Sequence, residues 1–507
     1  MRNTALASIV VLAGCAELPV LPDMPDAIAI APAEGGTLAD HIGPAEAAHP
    51  GQSGFRLLSD GSEAFVVRMQ SARHATQSLD VQTYIWHADL TGAYLGQVLL
   101  EAADRGVRVR LLLDDLDARA RNDGLAALAA HPHIDVRMFN PWVTRKGTLA
   151  KAGEFALSFK RINRRMHNKS WIVDNLVAVV GGRNVGDEYF GAGEEMNFLD
   201  LDFAMLGPVV RDVSASFDRY WNSTSAYPME VLDPDAVNET ALERLRKALA
   251  SRFEVAKGSR YAVALEGRDL VRRMIAGDWP VEWTSKYQFV ADDPAKVTMK
   301  KRDVKRTHVG VTLAPMVQAA RERVVVISPY FVPGEEVTAS FTRMAAAGTS
   351  VRVLTNSLVA NDVAAVHGGY SRYRKALLEG GVDIWELKPA GEDGKSSLFG
   401  SSGASLHTKA FAVDGEKLFV GSYNLDPRST WLNCEQGVLV ESAALARELE
   451  SLFEMHIGGE HAWRVSLEDG DLRWSDGRQS FDKDPMASAW QRFQAWATRV
   501  LHLDAQL

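Results

Sequence analysis

The sequence predicts an α/β protein in which two similar domains, each a sheet covered by helices on both faces, pack about a pseudo-twofold axis within one chain. In each half of the chain, apolar strand segments alternate with amphipathic helical segments, a pattern typical of βαβ units. The same order of segments and motifs returns about 240 residues later, and such self-similarity indicates an internal duplication.

The size and charge of the chain limit the functions open to it. Its 507 residues, 46% hydrophobic and 24% charged, are enough for two or three globular domains. Its net charge of -9 argues against broad nucleic-acid binding, which relies on surface lysine and arginine to neutralise phosphates. We therefore expect no nucleic-acid partner, and any anionic substrate must be held by local positive charge.

The N-terminus has the features of a bacterial lipoprotein signal peptide at residues 1–15. An apolar run follows Arg2, is too short to span a bilayer, and ends in Leu12-Ala13-Gly14-Cys15. Small residues before a cysteine suit cleavage and lipidation at Cys15, with a chance apolar leader as the alternative. Residues 16–51 are rich in Pro and Ala, which favours an extended tether. We expect a lipoprotein anchored to a membrane on its extracytoplasmic side.

The first domain is expected at residues 52–225. Its strand segments at 79–86, 107–113 and 134–139 are largely apolar, and a helical segment at 92–105 separates the first two. This spacing predicts a sheet rich in parallel strands.

The same order recurs in a second domain, expected at residues 306–460, with strand segments at 324–330, 351–354 and 382–387. Residues 226–305 between the domains are interpreted as a helical connector.

The C-terminal extension, residues 461–507, contains an amphipathic helix. Trp490, Phe493 and Val500 recur in it at helical spacing. Such a helix either packs on its own domain or lies at a membrane interface.

Two motifs stand at equivalent places in the two domains. The first reads His167-Asn168-Lys169 with Asp174, and Gly181-Gly182-Arg183-Asn184 follows it. The second reads His407-Thr408-Lys409 with Asp414, and Gly421-Ser422-Tyr423-Asn424 follows at the same distance. One copy of H-x-K-x4-D would be weak evidence. Two copies in matching positions indicate a single site built from both domains.

The spacing of each motif suits a phosphoryl group. On a strand, residues i and i+2 share a face, so each histidine points the same way as its lysine. If the two domains meet at a pseudo-twofold axis, two imidazoles, two ammonium groups and the amides of Asn184 and Asn424 surround one point. A histidine can act as nucleophile or as acid, and the lysines supply the positive charge that a metal ion supplies elsewhere.

These paired motifs resemble those of the phospholipase D superfamily, and the resemblance covers residues from about 52 to 460. More narrowly, segments 181–195, 355–362 and 421–429 are similar to the bacterial cardiolipin synthase C branch. The resemblance implies two phospholipase D-like αβα sandwich domains that transfer a phosphatidyl group between two phospholipids, without a cofactor or metal. Phosphatidylglycerol is implied as one substrate, and phosphatidylethanolamine or a second phosphatidylglycerol as the donor.

The resemblance also implies roles for individual residues. His167 is implied to be the nucleophile and His407 the acid and base. An acidic residue downstream orients each histidine in the family. Glu435 fits that place in the second half, and Asp202 is expected in the first half with Asp200 as the alternative. Asp174 and Asp414 are implied to be structural.

Three further residues follow a strand end of the second domain, where ligands of α/β proteins collect. We expect Asp362, His367 and Tyr370 to line the lipid head-group pocket, with capping of a helix as the alternative.

Other functions remain as alternatives at this point. If water enters the site, the same intermediate is hydrolysed and the protein is a phospholipase D that releases phosphatidic acid. The acidic balance disfavours a nuclease of the superfamily, and the two intact motifs disfavour a catalytically dead lipid-binding protein.

Overall fold

The computed structural model describes residues 18–116, 122–145, 148–194, 196–266, 279–361, 364–389 and 403–501. Two large mixed sheets form the centres of two domains within these residues, which confirms the α/β class and the duplicated architecture. The expected signal peptide with Cys15 lies outside the described residues, and so does Asp362.

The N-terminal sheet has nine strands in the described part of the chain. From one edge to the other they are Glu282–Thr284, Ser53–Leu58, Asp202–Leu206, Val177–Gly181, Ser170–Val173, Ser78–Thr83, Arg108–Asp114, Ile134–Phe139 and Ala226–Pro228. Ser78–Thr83, Arg108–Asp114 and Ile134–Phe139 run parallel, as their βαβ spacing predicts.

The C-terminal sheet repeats this arrangement with ten described strands. In order they are Tyr287–Ala291, Gln436–Glu441, Lys417–Gly421, Ala410–Val413, Arg323–Ile327, Ser350–Asn356, Asp383–Leu387, Ala462–Glu468, Asp471–Ser475 and Ser480–Phe481. The six strands from Gln436–Glu441 to Asp383–Leu387 match the order from Asp202–Leu206 to Ile134–Phe139 in the first sheet. A small parallel sheet of Met196–Leu199 and Gly403–Leu406 links the domains.

The sheets are less parallel than expected because each motif strand turns back in an antiparallel hairpin. Asp174 and Asn175 have φ angles of 51° and 53°, and Asp414 and Gly415 have 53° and 66°. Positive φ at both central residues is the geometry of a type I′ turn, which Asp, Asn and Gly tolerate. The motif aspartate is therefore the first residue of a hairpin turn in both domains.

Helices surround both sheets. The described helices are Thr37–Ala48, Gly61–Arg73, Leu90–Asp104, Asn122–Ala129, Thr148–Ile162, Asp187–Phe190, Pro208–Trp221, Met229–Leu232, Glu239–Lys257, Arg260–Glu266, Lys301–Val304, Val309–Gln318, Gly334–Ala346, Ala364–Glu379, Pro427–Trp431, Ala443–Ile457 and Ala489–Leu501, with a 3-10 helix at Pro294–Val297. Asp60, Asp89 and Ser442 cap helices by accepting backbone N–H groups that the first turn leaves unpaired. Within the described ranges, no helix is both long and apolar enough to cross a membrane.

Apolar clusters hold the layers together. Phe65 and Leu99, from two helices, pack with Leu111 of the N-terminal sheet in one cluster. Another cluster joins the two sheets themselves, since it contains Phe203 of the first and Val438 of the second. The domain interface is therefore a continuous core, which fixes the two motifs relative to one another.

Segments outside the duplicated units are more integrated than expected. The tether assigned to residues 16–51 lies along the N-terminal domain, where the Ala29 N–H donates to Asp218 (2.7 Å) and Arg110 donates to the Ala27 carbonyl (2.8 Å). The connector, expected to be helical, also adds an edge strand to each sheet. The C-terminal extension adds three strands to the second sheet. Several of these strands are short, so their side-chain alternation is a weak sequence signal.

Candidate active site

The segment before each motif histidine pairs with the opposite domain. The His167 N–H donates to the Cys434 carbonyl (2.8 Å), and the Cys434 N–H donates to the Arg165 carbonyl (2.8 Å). In the same way, the His407 N–H donates to the Leu199 carbonyl (2.8 Å). Each histidine is thereby tied through its backbone to the other domain.

Two polar residues at strand ends hold these segments in place. Asp114 ends the second parallel strand of its sheet and accepts the Met166 N–H (2.9 Å). Asn356 ends the equivalent strand and makes two hydrogen bonds, each 2.9 Å, with the backbone of Leu406. Each therefore clamps the residue directly before a motif histidine. Neither residue was expected at the site, although a polar residue at the carboxyl end of a parallel strand is a recognisable signal.

The carboxylates that orient the histidines also come from the opposite domain. His167 Nδ1 lies 2.9 Å from Glu435 Oε2, and His407 Nδ1 lies 2.5 Å from Asp200 Oδ2. A carboxylate on Nδ1 fixes the orientation and tautomer of an imidazole and leaves Nε2 to react. Each domain thus supplies the carboxylate that orients the motif histidine of the other domain.

Asp200, not the expected Asp202, takes this position. The buried carboxylate of Asp202 accepts from the Arg68 guanidinium (3.0 Å) and the Arg183 N–H (3.1 Å) within its own domain. Glu435 follows His407 by 28 residues, whereas Asp200 follows His167 by 33. The first half is therefore longer by five residues in this stretch, and the expectation of Asp202 assumed a longer insertion.

The motif lysines are buried beside the histidines. The Lys169 ammonium donates to the His167 carbonyl (2.5 Å), and the Lys409 ammonium donates to the His407 carbonyl. Burial lowers the pKa of Lys169 to about 7, with Glu435 opposing the shift and the charge of Lys409 adding to it. An anion between the two lysines would relieve this repulsion.

The same charges act on both histidines. Burial lowers the pKa of His167 to about 4 and that of His407 to about 3. The charges of both lysines contribute to these low values, whereas the carboxylate beside each histidine opposes the shift. Both imidazoles are therefore neutral at pH 7 in the empty site, and an entering phosphate anion raises the pKa of each. Because each lysine acts on each histidine, the four groups form one electrostatic site.

The two carboxylates remain ionised in this environment. Burial favours the neutral acid, but the adjacent histidine and lysine hold the pKa of Glu435 and of Asp200 below the usual values. Hydroxyl groups of Ser422 and Ser429 also donate to Glu435, at 2.6 Å and 2.9 Å.

Aromatic side chains line the site. The Tyr84 ring meets His167 edge-on at 5.0 Å between centroids and lies 5.3 Å from the Lys169 ammonium. Tyr189 and Phe198 lie 5.2 Å and 5.1 Å from His407. None of these rings was expected at the site, although Tyr84 directly follows the first parallel strand.

The two motif asparagines are placed differently. Asn184 accepts the Ile85 N–H (3.2 Å) and donates to the Tyr189 hydroxyl (2.9 Å), so it supports a ring that touches His407. Asn424 receives support from Ser429, whose hydroxyl accepts its backbone N–H (3.2 Å). Within the described residues, the buried side-chain oxygen of Asn424 has no hydrogen-bond partner.

The motif aspartates bind backbone amides at their hairpin turns. Asp174 accepts the N–H groups of residues 76, 77 and 78 at 2.8–2.9 Å. Asp414 accepts those of residues 321, 322 and 323 at 2.8–3.0 Å. Each aspartate thus joins its hairpin to the start of the first parallel strand, which is a structural task.

His367 and Tyr370 belong to a different network. His367 Nε2 lies 3.0 Å from Asp484, and the Tyr370 hydroxyl donates to Glu386 (3.1 Å). Arg374 donates to both acids, at 2.8 Å and 3.0 Å. The helix Ala364–Glu379 thus turns both side chains towards acids of its own domain, the half-buried Asp484 and the buried Glu386, and their expected contact with a lipid head group stays a prediction.

Comparisons with known proteins match both domains. The family model described as "Cardiolipin synthase, PLD-like domain" matches residues 68–221 and 313–457. The chain is 41% identical over 477 residues to cardiolipin synthase C of Escherichia coli K12, covering 92% of this chain and 99% of that protein. It is 28% identical to cardiolipin synthase A of Pseudomonas syringae, covering 78% of this chain and 67% of that protein.

Among solved structures, the phosphatidylserine synthase of Haemophilus influenzae has a similar fold, with a TM-score of 0.58 at 12% identity. The similarity covers 89% of this chain and 95% of that structure, and at this identity it supports the fold alone. The sequence matches and the two complete motifs agree, and the chain belongs to the cardiolipin synthase family with phospholipase D-like domains.

Proposed function

We propose that this chain is a cardiolipin synthase that transfers a phosphatidyl group from one phospholipid to a hydroxyl group on the head group of phosphatidylglycerol. The reciprocal pairing carries this proposal: each reactive imidazole is oriented by a carboxylate of the other domain, and both lysines act on both imidazoles. A phosphodiester fits this site because it brings one negative charge between two ammonium groups.

In the first step, Nε2 of His167 attacks the phosphorus of the donor lipid and forms a P–N bond. The P–O bond to the donor's head-group alcohol breaks, and His407 gives the departing oxygen its Nε2 proton. A nearby anion raises the pKa of an imidazole, so binding of the negative phosphodiester favours the uptake of this proton from water by His407. The assignment of His167 as nucleophile follows the family resemblance.

In the second step, a hydroxyl of phosphatidylglycerol attacks the same phosphorus and gives its proton to His407. The P–N bond breaks, His167 is restored, and cardiolipin leaves. Lys169 and Lys409 stabilise the equatorial oxygens in both steps, and Glu435 stabilises the positive charge on His167. One phosphodiester replaces another, so no nucleotide is required. The leaving alcohol is ethanolamine when phosphatidylethanolamine is the donor and glycerol when a second phosphatidylglycerol is the donor.

Product analysis with purified protein tests this function. Labelled phosphatidylglycerol is incubated with and without phosphatidylethanolamine in EDTA, and the lipids are identified by mass. We expect cardiolipin from the unmodified chain and from the control His133→Ala, which changes an exposed histidine. The His167→Ala variant should make none. Phosphatidic acid as the sole product would instead identify a hydrolase, and no lipid turnover would exclude both activities.

We also propose that the protein is a lipoprotein anchored through Cys15 to the extracytoplasmic face of a bacterial envelope membrane. The apolar leader and the small residues before Cys15 support this proposal. Metabolic labelling with a fatty-acid analogue should mark the unmodified chain and the control Cys434→Ala, but not Cys15→Ala. Label retained in Cys15→Ala would contradict the proposed anchor.

A further inference from the structure

The C-terminal helix, Ala489–Leu501, presents an aromatic face to solvent. Trp490, Phe493, Trp496 and Val500 recur at three- and four-residue intervals and are each 49–64% exposed. The three rings stack along the helix, with centroid distances of 5.5 Å and 5.9 Å. A contiguous apolar patch of this kind marks an interaction surface.

The opposite face of this helix is closely packed. Ala495 and Thr498 are buried against Gly368 of the helix Ala364–Glu379, where a Cβ atom would lie 2.5 Å from the Ala495 carbonyl oxygen. Packing on the domain, one of the two alternatives that the sequence pattern left open, therefore accounts for only one face of the helix. Small residues attach the helix to its domain, and the aromatic residues have no place in that contact.

The helix lies at the same sheet edge as the phosphoryl site. Ala495 clusters with Leu358, which follows the strand Ser350–Asn356. Asn356 ends that strand and holds Leu406, the residue before His407. The buried face of the helix is therefore linked, through Leu358 and the end of this strand, to the segment that carries His407.

Basic residues accompany the aromatic face. A cavity of about 550 Å³ next to the helix is lined by six lysine and arginine side chains and three aspartates. Three of the basic residues, Lys483, Arg492 and Arg499, lie on the helix or just before it. This local excess of positive charge contrasts with the net charge of -9 of the whole chain. Aromatic residues beside lysine and arginine are the composition of helices that lie on anionic lipid surfaces.

The N-terminal domain also exposes apolar side chains on one helix. Phe155, Leu157 and Phe159 are exposed on the helix Thr148–Ile162, and the neighbouring Lys160 is exposed as well. This helix leads directly into the segment that carries His167. Each domain therefore exposes apolar side chains next to its own half of the site.

We propose that the aromatic face of the C-terminal helix docks on the surface of a bilayer that contains anionic phospholipids, and that docking brings the phosphoryl site to the lipid head groups. This proposal rests on the proposed function, because it assumes that phospholipids are the substrates. The rings enter the interfacial region, and Lys483, Arg492 and Arg499 meet the phosphates.

Vesicle flotation tests the docking face. The full chain carries Cys15→Ser, so that a lipid anchor cannot hold it on the vesicles. In this background, the chain with an unchanged helix is compared with the triple variant Trp490→Ser, Phe493→Ser, Trp496→Ser. The control is Val255→Ser, Val263→Ser, Met455→Ser, which changes apolar side chains of similar exposure elsewhere. On vesicles of phosphatidylglycerol and phosphatidylcholine, we expect the aromatic variant to lose about tenfold or more in partitioning, and the control to bind normally.

Two outcomes would overturn the proposal. One is unchanged vesicle binding by the aromatic variant at an unchanged melting temperature. The other is a wild-type dimer in sedimentation that this variant dissociates without any effect on vesicle binding, which would identify the face as a contact between two copies. Activity on detergent-dispersed lipid separates this question from the proposed function. On detergent-dispersed lipid we expect both variants to make cardiolipin. If the wild-type chain made none, the proposed function would be wrong, whatever the result of the vesicle-binding experiment.

Discussion

Replacing Asp200 by asparagine removes a charge beside His407 while keeping the shape of the side chain. In the structure this carboxylate lies 2.5 Å from His407 Nδ1 and is fully buried. An asparagine oxygen can still accept the Nδ1 proton, but it cannot stabilise the positive charge that His407 carries as an acid. The variant therefore tests electrostatic support and leaves most of the orientation intact.

The size of the effect follows from the burial of the pair. A hydrogen bond to an ionised group contributes about 1.5–3 kcal/mol, and the buried position favours the upper end of this range. A loss of about 3 kcal/mol in the transition state corresponds to a fall in kcat on the order of 100-fold. Asp200 also raises the pKa of His407 against the effect of burial. In the variant that pKa falls further, so the acid loses its proton at a lower pH.

The assay is the pH dependence of kcat for cardiolipin formation, because this profile reports the ionisable groups of the enzyme–substrate complex, in which His407 carries its proton. We expect the alkaline limb of the Asp200→Asn profile to move to lower pH. The matched control is Asp202→Asn, which should lower the melting temperature because Arg68 and Arg183 lose a buried partner, a change that typically costs about 3–5 kcal/mol. It should leave the alkaline limb in place. A wild-type rate and profile in Asp200→Asn, or a shifted limb in Asp202→Asn, would refute the reasoning.

Four further outcomes are expected. Glu435→Gln should slow formation of the covalent intermediate on the order of 100-fold in rapid-quench experiments, since it removes the charge that supports His167; an unchanged rate would contradict this role. Gly182→Ala should lower kcat about tenfold or more, because its Cβ would lie 2.1 Å from Asp200 Oδ1 and displacement of that carboxylate misplaces His407; the control Gly124→Ala should have no effect. Asp174→Ala should lower the free energy of unfolding by about 3 kcal/mol, measured in urea, because three backbone N–H groups lose their acceptor, and the less buried Asp414→Ala should lower it by less; a shifted pH profile in either would contradict their structural assignment. The free energy of unfolding should also fall as the pH is lowered from 6.5 to 4. In the folded chain His167 and His407 have pKa values of about 4 and 3 and stay neutral over this range, whereas in the unfolded chain they take up protons. If the double variant His167→Gln, His407→Gln showed the same dependence of unfolding free energy on pH, this expectation would be contradicted.

Much of the site was predictable because the motifs obey local rules. The alternation of side chains along a strand places His167 beside Lys169 whatever the rest of the fold does. The turn aspartates also have a local cause, since a type I′ turn requires positive φ and favours Asp, Asn or Gly. The duplication, which the matching strand orders bear out, then predicts a two-domain site.

The exchange of partners between the domains was not predictable from these rules. In sequence, Glu435 belongs to the half that contains His407, yet it holds His167. That pairing depends on how the two sheets pack through their shared core, which contains both Phe203 and Val438. The spacing of either motif therefore does not predict which domain supplies the carboxylate. The choice between Asp200 and Asp202 likewise depended on an insertion whose length the sequence of one half does not define.

The residues expected to line the head-group pocket show a second limit. The strand-end rule correctly directs attention to the edge where Asn356 lies, but it gives no direction for side chains on the helix that follows. His367 and Tyr370 turn towards Asp484 and Glu386, whose positions are set by strands and loops far along the chain. Tyr84, directly after a strand, would have been found by the same rule.

In the proposed mechanism, His167 and His407 act on one phosphorus from opposite domains. A phosphatidyl ester of 4-nitrophenol tests it directly, because this leaving group departs without a proton from an acid. In a single turnover, His407→Ala should release one equivalent of nitrophenolate per chain and retain the phosphatidyl group on the peptide that contains His167. His167→Ala should release none. A burst in His167→Ala, or no covalent product in His407→Ala, would contradict the account.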